Sequence, residues 1–408
     1  MVIYIYFVLT GFFLFLKNTS LFFGESESLA GIFRELTLLT LIGTMVCVIY
    51  LSKKKKIKCY LSVWNVSYLF VLIIGVSSLL YKMLEGGNYG QLFSLKNYIY
   101  DVLFNLLLAM LLVNYYSKVK FYKSLYYFAL FLAVGAILQK FVLSSYIDLS
   151  EVYRTTVFYT RISFIANNPN HLAFLLTIGI AANNKKDTSA LVGCLVLTFA
   201  CFLTGSRLFS LICLLFLFFK VWSMRHIVVY VLGLLLPFLV WVMFGSFNLT
   251  ALDRIAGSVA NSGNDPRYAL WSEAINYSAD NIFLVLFGNG FGYIGRYLGV
   301  KNELDIPVFY NNEIYVNTIT YLDNTFVSLY MDVGLVGLLV FLFMLTVNLF
   351  FVNVKGSRVR TCDLGVQLII ILSSFFGDSF FSFPVLLIYL VSIFKQESYF
   401  RELRYNER

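Results

Sequence analysis

Long apolar runs separated by short polar connectors make up almost all of this sequence of 408 residues. A run of about 18 or more apolar residues reads as a membrane-crossing helix. The pattern predicts about twelve such helices, at about 2–16, 36–52, 60–80, 97–116, 124–144, 170–184, 188–204, 207–223, 227–245, 325–352, 364–378 and 383–395. The fold class read from this is an all-α polytopic membrane protein, with one membrane domain over 1–408. One stretch breaks the pattern. Residues 246–322 form a polar island that carries Arg254, Arg267, Arg296, Asp265, Glu273 and Asp280. Within it, Asp265-Pro266-Arg267 has the form of a helix start, with the acid as N-cap and the proline in the first helical position. Tyr268, Trp271, Ile275 and Ala274 then line one face through Tyr277, which predicts an amphipathic helix.

Composition supports the membrane class. The chain is 60% hydrophobic and 13% charged, against about half and about a quarter in soluble domains. The net charge of +9 is therefore read by position. Basic clusters follow every second helix: Lys53 to Lys58, Lys118 to Lys123, Lys185-Lys186, Arg225, Lys355 to Arg360, and the tail from Lys395 to Arg408. Basic residues sort to the cytoplasmic side. That places both termini in the cytoplasm and the island outside it, and it removes any need for a nucleic-acid partner. The first apolar run lacks a basic leader and a small-residue cleavage site, so it reads as a retained helix. The six cysteines lie outside the island and form no CxxC pair, which argues against a disulfide framework or a thiolate metal site. No internal repeat is evident, which weakens an inverted-repeat transporter.

The candidate chemistry sits at helix entrances. Leu203-Thr204-Gly205-Ser206-Arg207 turns one helix into the next, with Ser206 able to cap and Arg207 in the first turn. A cation there opposes the helix dipole unless an anion binds. The competing reading is an arginine reaching headgroup phosphates. Arg267 repeats the arrangement, with a packing helix and a solvated arginine as its plainer reading. Arg161 and Asn167-Asn168-Pro169-Asn170-His171 precede another helix, where Asn168 or Asn170 could simply be a cap. His171 has no second histidine on its face, since His226 falls on the cytoplasmic side, and zinc is not expected. Gly290, Gly292 and Gly295 satisfy GxGxxG, but no βαβ unit surrounds them, so a tight turn for close backbone approach is the better use. Asp323 has a ready role as a helix cap before Asn324-Thr325. Asp332 lies two turns further into an apolar helix, where an acid normally faces a cavity or a partner.

Taken together these motifs resemble the O-antigen polymerase (Wzy) and O-antigen ligase superfamily. The resemblance rests on Asn168 to Ala173, Leu203 to Arg207, Arg267 with Leu270-Trp271 and Ala274, Phe287 to Gly290, and Asp323-Asn324-Thr325 through Gly337. It implies a GT-C-like, inverting, metal-independent glycosyltransferase without cofactors. The donor and acceptor would be glycans linked through pyrophosphate to undecaprenol. A flippase and a chain-length regulator of the same pathway would be its neighbours in the bacterial cytoplasmic (inner) membrane. Arg207 and Arg267 would take the pyrophosphate, with Arg161 and Arg254 as further anion contacts. Asn170, His171, Tyr268, Trp271 and Asn324 would contact sugars or lipid-linked substrate. In the ligases the position before the asparagine is commonly a histidine; here it is Asp323. That departure favours a polymerase and leaves Asp323 as the candidate base, in competition with its capping role. A ligase onto a lipid core, and a non-enzymatic glycolipid flippase or transporter, are the alternatives. The expectation is that the island closes over the helix entrances and brings Arg267 to Arg207 around the pyrophosphate.

Overall fold

In a computed structural model of the chain, the described residues are 43, 46, 50, 63–84, 102, 103, 105–110, 112, 118–141, 169–183, 188–224, 266–279, 281–291, 308–310, 313–316, 322, 324–352, 358–375 and 385–393. They form helices α1 (Val63–Leu84), α2 (Lys118–Phe141), α3 (Pro169–Ala182), α4 (Thr188–Leu203), α5 (Arg207–Met224), α6 (Pro266–Ala279) and α7 (Ile282–Phe287). Strands β1 (Val308–Tyr310) and β2 (Glu313–Val316) follow, then helices α8 (Thr325–Val352) and α9 (Arg358–Ser374). A last helix, α10, covers 385–393. Among the described residues two helices, Val119–Phe141 and Thr325–Leu349, are long and apolar enough to cross a membrane. The expected helices at 2–16 and 227–245 lie outside the described residues, as do Arg161, Arg254, Asp265, His226 and Asp323.

The contacts divide the chain into two compact units, 1–43 with 116–261 and 357–369, and 44–115 with 262–356 and 370–408. In the first unit, α2 to α5 form a bundle whose order follows from a few contacts. Phe174 of α3 meets Phe209 of α5 edge to face at 6.0 Å. One turn further along both helices, the Thr177 hydroxyl lies 3.1 Å from Cys213 Sγ. The two helices are therefore parallel neighbours with their N-termini at the same end. Gly179 of α3 presses on Ala129 of α2, since small residues let apolar helices approach closely. At the far end Tyr122 of α2 donates to the buried Asp363 carboxylate, and Cys362 Sγ reaches the Ala182 carbonyl. Lys120 and Lys123 are exposed there. The end of the unit that carries these lysines is thus opposite the α3 and α5 entrances. Phe128, Phe131, Val134 and Leu138 of α2 are exposed apolar side chains, the dress of a helix that faces lipid.

Basic residues assigned to loops turn out to be helical. α2 begins at Lys118 and α9 at Arg358, each about six residues before the apolar run that predicted it. Lysine and arginine are good helix formers, and their stems follow the apolar surface while the charge stays wet.

In the second unit, α8 packs on α1, α6 and α7. Its core includes Leu79, Phe291, Leu329, Met331 and Phe341, all almost fully buried. Phe326 adds a ring contact with Phe375 at 4.5 Å, and the Asn348 side chain donates to Tyr389 of α10 at 3.1 Å. The fold is dominated by helices, but the all-α expectation needs one correction. β1 and β2 pair antiparallel, Phe309 opposite Ile314 and Tyr310 opposite Glu313, with an irregularity after Val308. The run Val308-Phe309-Tyr310 followed by Asn311-Asn312 and then Glu313-Ile314-Tyr315-Val316 has the β-branched and aromatic content of a hairpin around a turn. It was hidden by its short length inside a polar loop.

Candidate functional site

Three of the expected helix entrances can be built up residue by residue. At the first, α4 ends at Leu203 and the chain reverses over Thr204, Gly205 and Ser206. Gly205 takes φ 70°, the left-handed conformation that helix ends favour and glycine tolerates. The Thr204 hydroxyl donates to the Cys201 carbonyl at 2.7 Å and accepts the Ser206 N–H at 3.3 Å. The Ser206 carbonyl accepts the N–H of Ser210 at 3.1 Å, the first intrahelical bond of α5. Ser206 thus stands in the N-cap position and Arg207, half-buried, opens the first turn. The leading N–H groups of a helix have no acceptor within it. A guanidinium added to them makes an arrangement suited to a phosphate.

The second entrance lies beside the first. α3 begins at Pro169, so Asn170 is inside the first turn and is not the cap; the capping position falls to Asn168, outside the described residues. Asn170 is half-buried and His171 exposed. Phe174–Phe209 and Thr177–Cys213 hold this entrance next to that of Arg207. The structure therefore brings Asn170, His171 and Arg207 to one end of the first unit.

The third entrance, in the second unit, corrects the sequence reading. Asn324, not Asp323, caps α8: its Oδ1 accepts the N–H groups of Phe326 at 2.9 Å and Val327 at 3.1 Å. The side chain just before the first helical residue reaches the second and third N–H groups, and Thr325 is that first residue. Two consequences follow. Asn324 is 5% exposed with its oxygen committed to the helix, which reduces its standing as a substrate contact. With Asn324 in the cap position, α8 does not depend on Asp323 for that role. Replacing Asn324 by Ala should lower stability by about 1 kcal/mol, measured as a fall in the unfolding midpoint of the detergent-purified chain; an unchanged midpoint would contradict the cap.

α6 carries the island's arginine to this entrance. The helix starts at Pro266, as expected, so Arg267 is its second residue. The buried line of the helix is Leu270, Ala274 and Ser278, at i, i+4 and i+8. Ile275 and Tyr277, placed on the packed face by the sequence, are 43% and 40% exposed. The small Ala274 and Ser278 let the backbone come close to α8, where the Ser278 hydroxyl meets Met331 Sδ at 3.3 Å. The bulkier side chains are pushed to the flanks. Trp271 is half-buried, and its indole N–H donates to the Leu322 carbonyl at 2.7 Å. That bond ties α6 directly to the residue before Asp323.

The glycine-rich run has a definite use that sequence reasoning anticipated only as close backbone approach. α8 is broken at Gly334, which has φ 66° and ψ −170°. A break there strips helical donors from the carbonyls just before it. Those of Met331 and Asp332 receive instead the N–H groups of Asn289 at 2.8 Å and Gly290 at 2.9 Å. The Asn289 side chain adds a second bond to Met331 at 3.1 Å. Gly288 and Gly290 also have positive φ. Gly288 lies against the backbone of Asp332 and Gly334, and Gly334 against Leu286 and Phe287. The Ser78 hydroxyl of α1 closes the other side on the Phe287 carbonyl at 2.6 Å. Asp332, the costly acid of the sequence reading, is buried beside this junction. Nothing in the sequence distinguished Gly334 from Gly337, and neither the break nor the Trp271 bond could be read there. Among the described residues no group of three His, Cys, Asp or Glu side chains could hold a metal ion.

Residues 192–342 of the chain match a family model described as O-antigen ligase. The matched segment contains Arg207, Arg254, Arg267, Tyr268, Trp271, Asp323 and Asn324; Arg161, Asn170 and His171 precede it. No curated protein matches the chain. The match supports the O-antigen polymerase and ligase superfamily of membrane glycosyltransferase-like enzymes, and it does not separate polymerases from ligases.

Proposed function

We propose that the chain is a polysaccharide polymerase. It joins undecaprenyl-pyrophosphate-linked repeat units, of O-antigen or capsule, on the outer face of the cytoplasmic membrane. A hydroxyl at the non-reducing end of the acceptor unit attacks the anomeric carbon of the donor glycan from the face opposite its pyrophosphate. The new C–O bond forms as the bond to the phosphate oxygen breaks, and the anomeric configuration inverts. The leaving undecaprenyl pyrophosphate keeps the electron pair, and the hydroxyl proton passes to the Asp323 carboxylate. Negative charge grows on the pyrophosphate in this step. Arg207 and Arg267, each in the first turn of a helix, are the groups to stabilise it. Arg161 and Arg254 bind further anionic oxygens, and Asn170, His171 and Tyr268 contact the glycan.

The observation that carries the polymerase reading over the ligase is the α8 entrance. Asn324 does the capping there, and an acid stands in the preceding position where ligases commonly have a histidine. The test is turnover of lipid-linked repeat units by the purified full chain. The expected result is a ladder of extended glycan on undecaprenyl pyrophosphate, undiminished by EDTA. Transfer only to an added lipid core would establish a ligase instead. Strict dependence on a divalent ion would contradict the mechanism.

A further inference from the structure

Trp271 enters the sequence reading as a ring for stacking on sugar, and the second unit gives it a different task. Its indole N–H donates to the carbonyl of Leu322 at 2.7 Å. Leu322 is fully buried, and the next residue in the chain is Asp323. Arg267 lies four residues before Trp271, which is about one helical turn along α6. The bond therefore joins the helix that carries the proposed phosphate ligand to the peptide that carries the proposed base.

Three further contacts hold α8 in place, one from α6 itself and two from the turn that follows α7. Ser278 meets Met331, and the N–H groups of Asn289 and Gly290 hold the carbonyls of Met331 and Asp332. All of these contacts fall on α8 before its break at Gly334. Of the four, the Trp271 bond lies nearest the entrance. An N–H···O bond of 2.7 Å is at the short end of the usual range, and an indole N–H acts only as a donor.

We propose that Trp271 is a positioning residue. Through the Leu322 carbonyl it fixes the register between Arg267 and Asp323, and with it the alignment of leaving group and attacking hydroxyl. This rests on the polymerase reading for the identity of the two groups. Reaction rates depend steeply on such alignment; a displacement of about 1 Å can cost about a hundredfold.

The test compares Trp271→Phe with the unaltered full chain, using purified protein and the lipid-linked repeat unit as substrate. Phenylalanine keeps an aromatic face and removes the N–H. Positioning predicts a kcat lower by about tenfold or more, with KM for the repeat unit within about twofold. Adding Trp271→Phe to Asp323→Asn should then cost little further, because the alignment it secures no longer matters. An unchanged kcat overturns the proposal. So does a raised KM with kcat intact, the mark of a sugar contact. Equal losses from Trp271→Phe in both backgrounds also overturn it, as does a Trp271→Phe chain that cannot be recovered folded, which would assign the bond to folding. Failure of the polymerase reading is separate from all of these: the unaltered chain would then not extend the repeat unit at all.

Discussion

Replacing Arg207 or Arg267 by alanine is expected to abolish chain extension while the protein still inserts and purifies as before. Each change should reduce turnover by at least about a hundredfold to a thousandfold, the range for removing one preorganised donor from developing negative charge. The stability half of this expectation is as informative as the activity half. Arg207 opens the first turn of α5, where a cation opposes the helix dipole. Alanine at that position removes the unfavourable charge, so any fall in the unfolding midpoint should be small, within about 1 kcal/mol. A merely structural arginine predicts the reverse, lower stability with activity proportionate to the protein that survives. Lysine at either position should recover only part of the rate, because a point charge cannot reproduce a two-toothed contact to phosphate. Wild-type glycan ladders from both alanine variants would remove the pyrophosphate assignment.

The second large effect is on folding. Gly334→Val should prevent recovery of monodisperse protein from detergent extracts, whereas Leu339→Ala, at an exposed position on the same helix, should change the yield little. Two costs coincide at Gly334, and the escape from them carries a third. A side chain at φ 66° is strained by about 1–2 kcal/mol. A Cβ there would collide with the backbone of Leu286 and Phe287, which no rotamer change relieves, and overpacking of this kind costs about 1–3 kcal/mol. Straightening α8 to escape both would take the Met331 and Asp332 carbonyls away from Asn289 and Gly290, at about 1–3 kcal/mol for each buried donor left unmet. Either route costs about 2–6 kcal/mol, a large part of the stability of a typical domain, about 5–15 kcal/mol. A Gly334→Val protein with wild-type yield and midpoint would show that the junction is not needed for the fold.

How much of this was legible in the sequence depends on the length scale of the signal. Helices longer than three turns announce themselves by apolar run, and α8 falls at the 325–352 read from hydropathy. The turn at Gly205-Ser206 and the helix start at Pro266 were legible because glycine and proline restrict backbone geometry locally. The cap at α8 was misplaced by one residue. Asp323 and Asn324 are both good caps, and only the first helical residue, Thr325, decides between them. The face of α6 was drawn through Tyr268, Trp271 and Ile275 as well as Ala274, whereas the buried line is Leu270, Ala274 and Ser278, whose small members bring the backbone near Met331. The bond from Trp271 to Leu322 joins residues far apart in sequence through a backbone carbonyl, so no side-chain pattern could encode it. The break at Gly334 was invisible for the same reason: what makes it tolerable is a loop 42 residues away, as in the bond from Asn289 to Met331.

That separation also fixes an order of events during synthesis. Chains emerge from the amino end, so the Gly288–Gly290 turn exists before any of α8 does. A helix broken at Gly334 would enter the bilayer with two bare carbonyls, which lipid cannot satisfy. Because their donors are made first, α8 can be closed at the moment it is delivered, and its defect never has to wait for a partner still inside the ribosome.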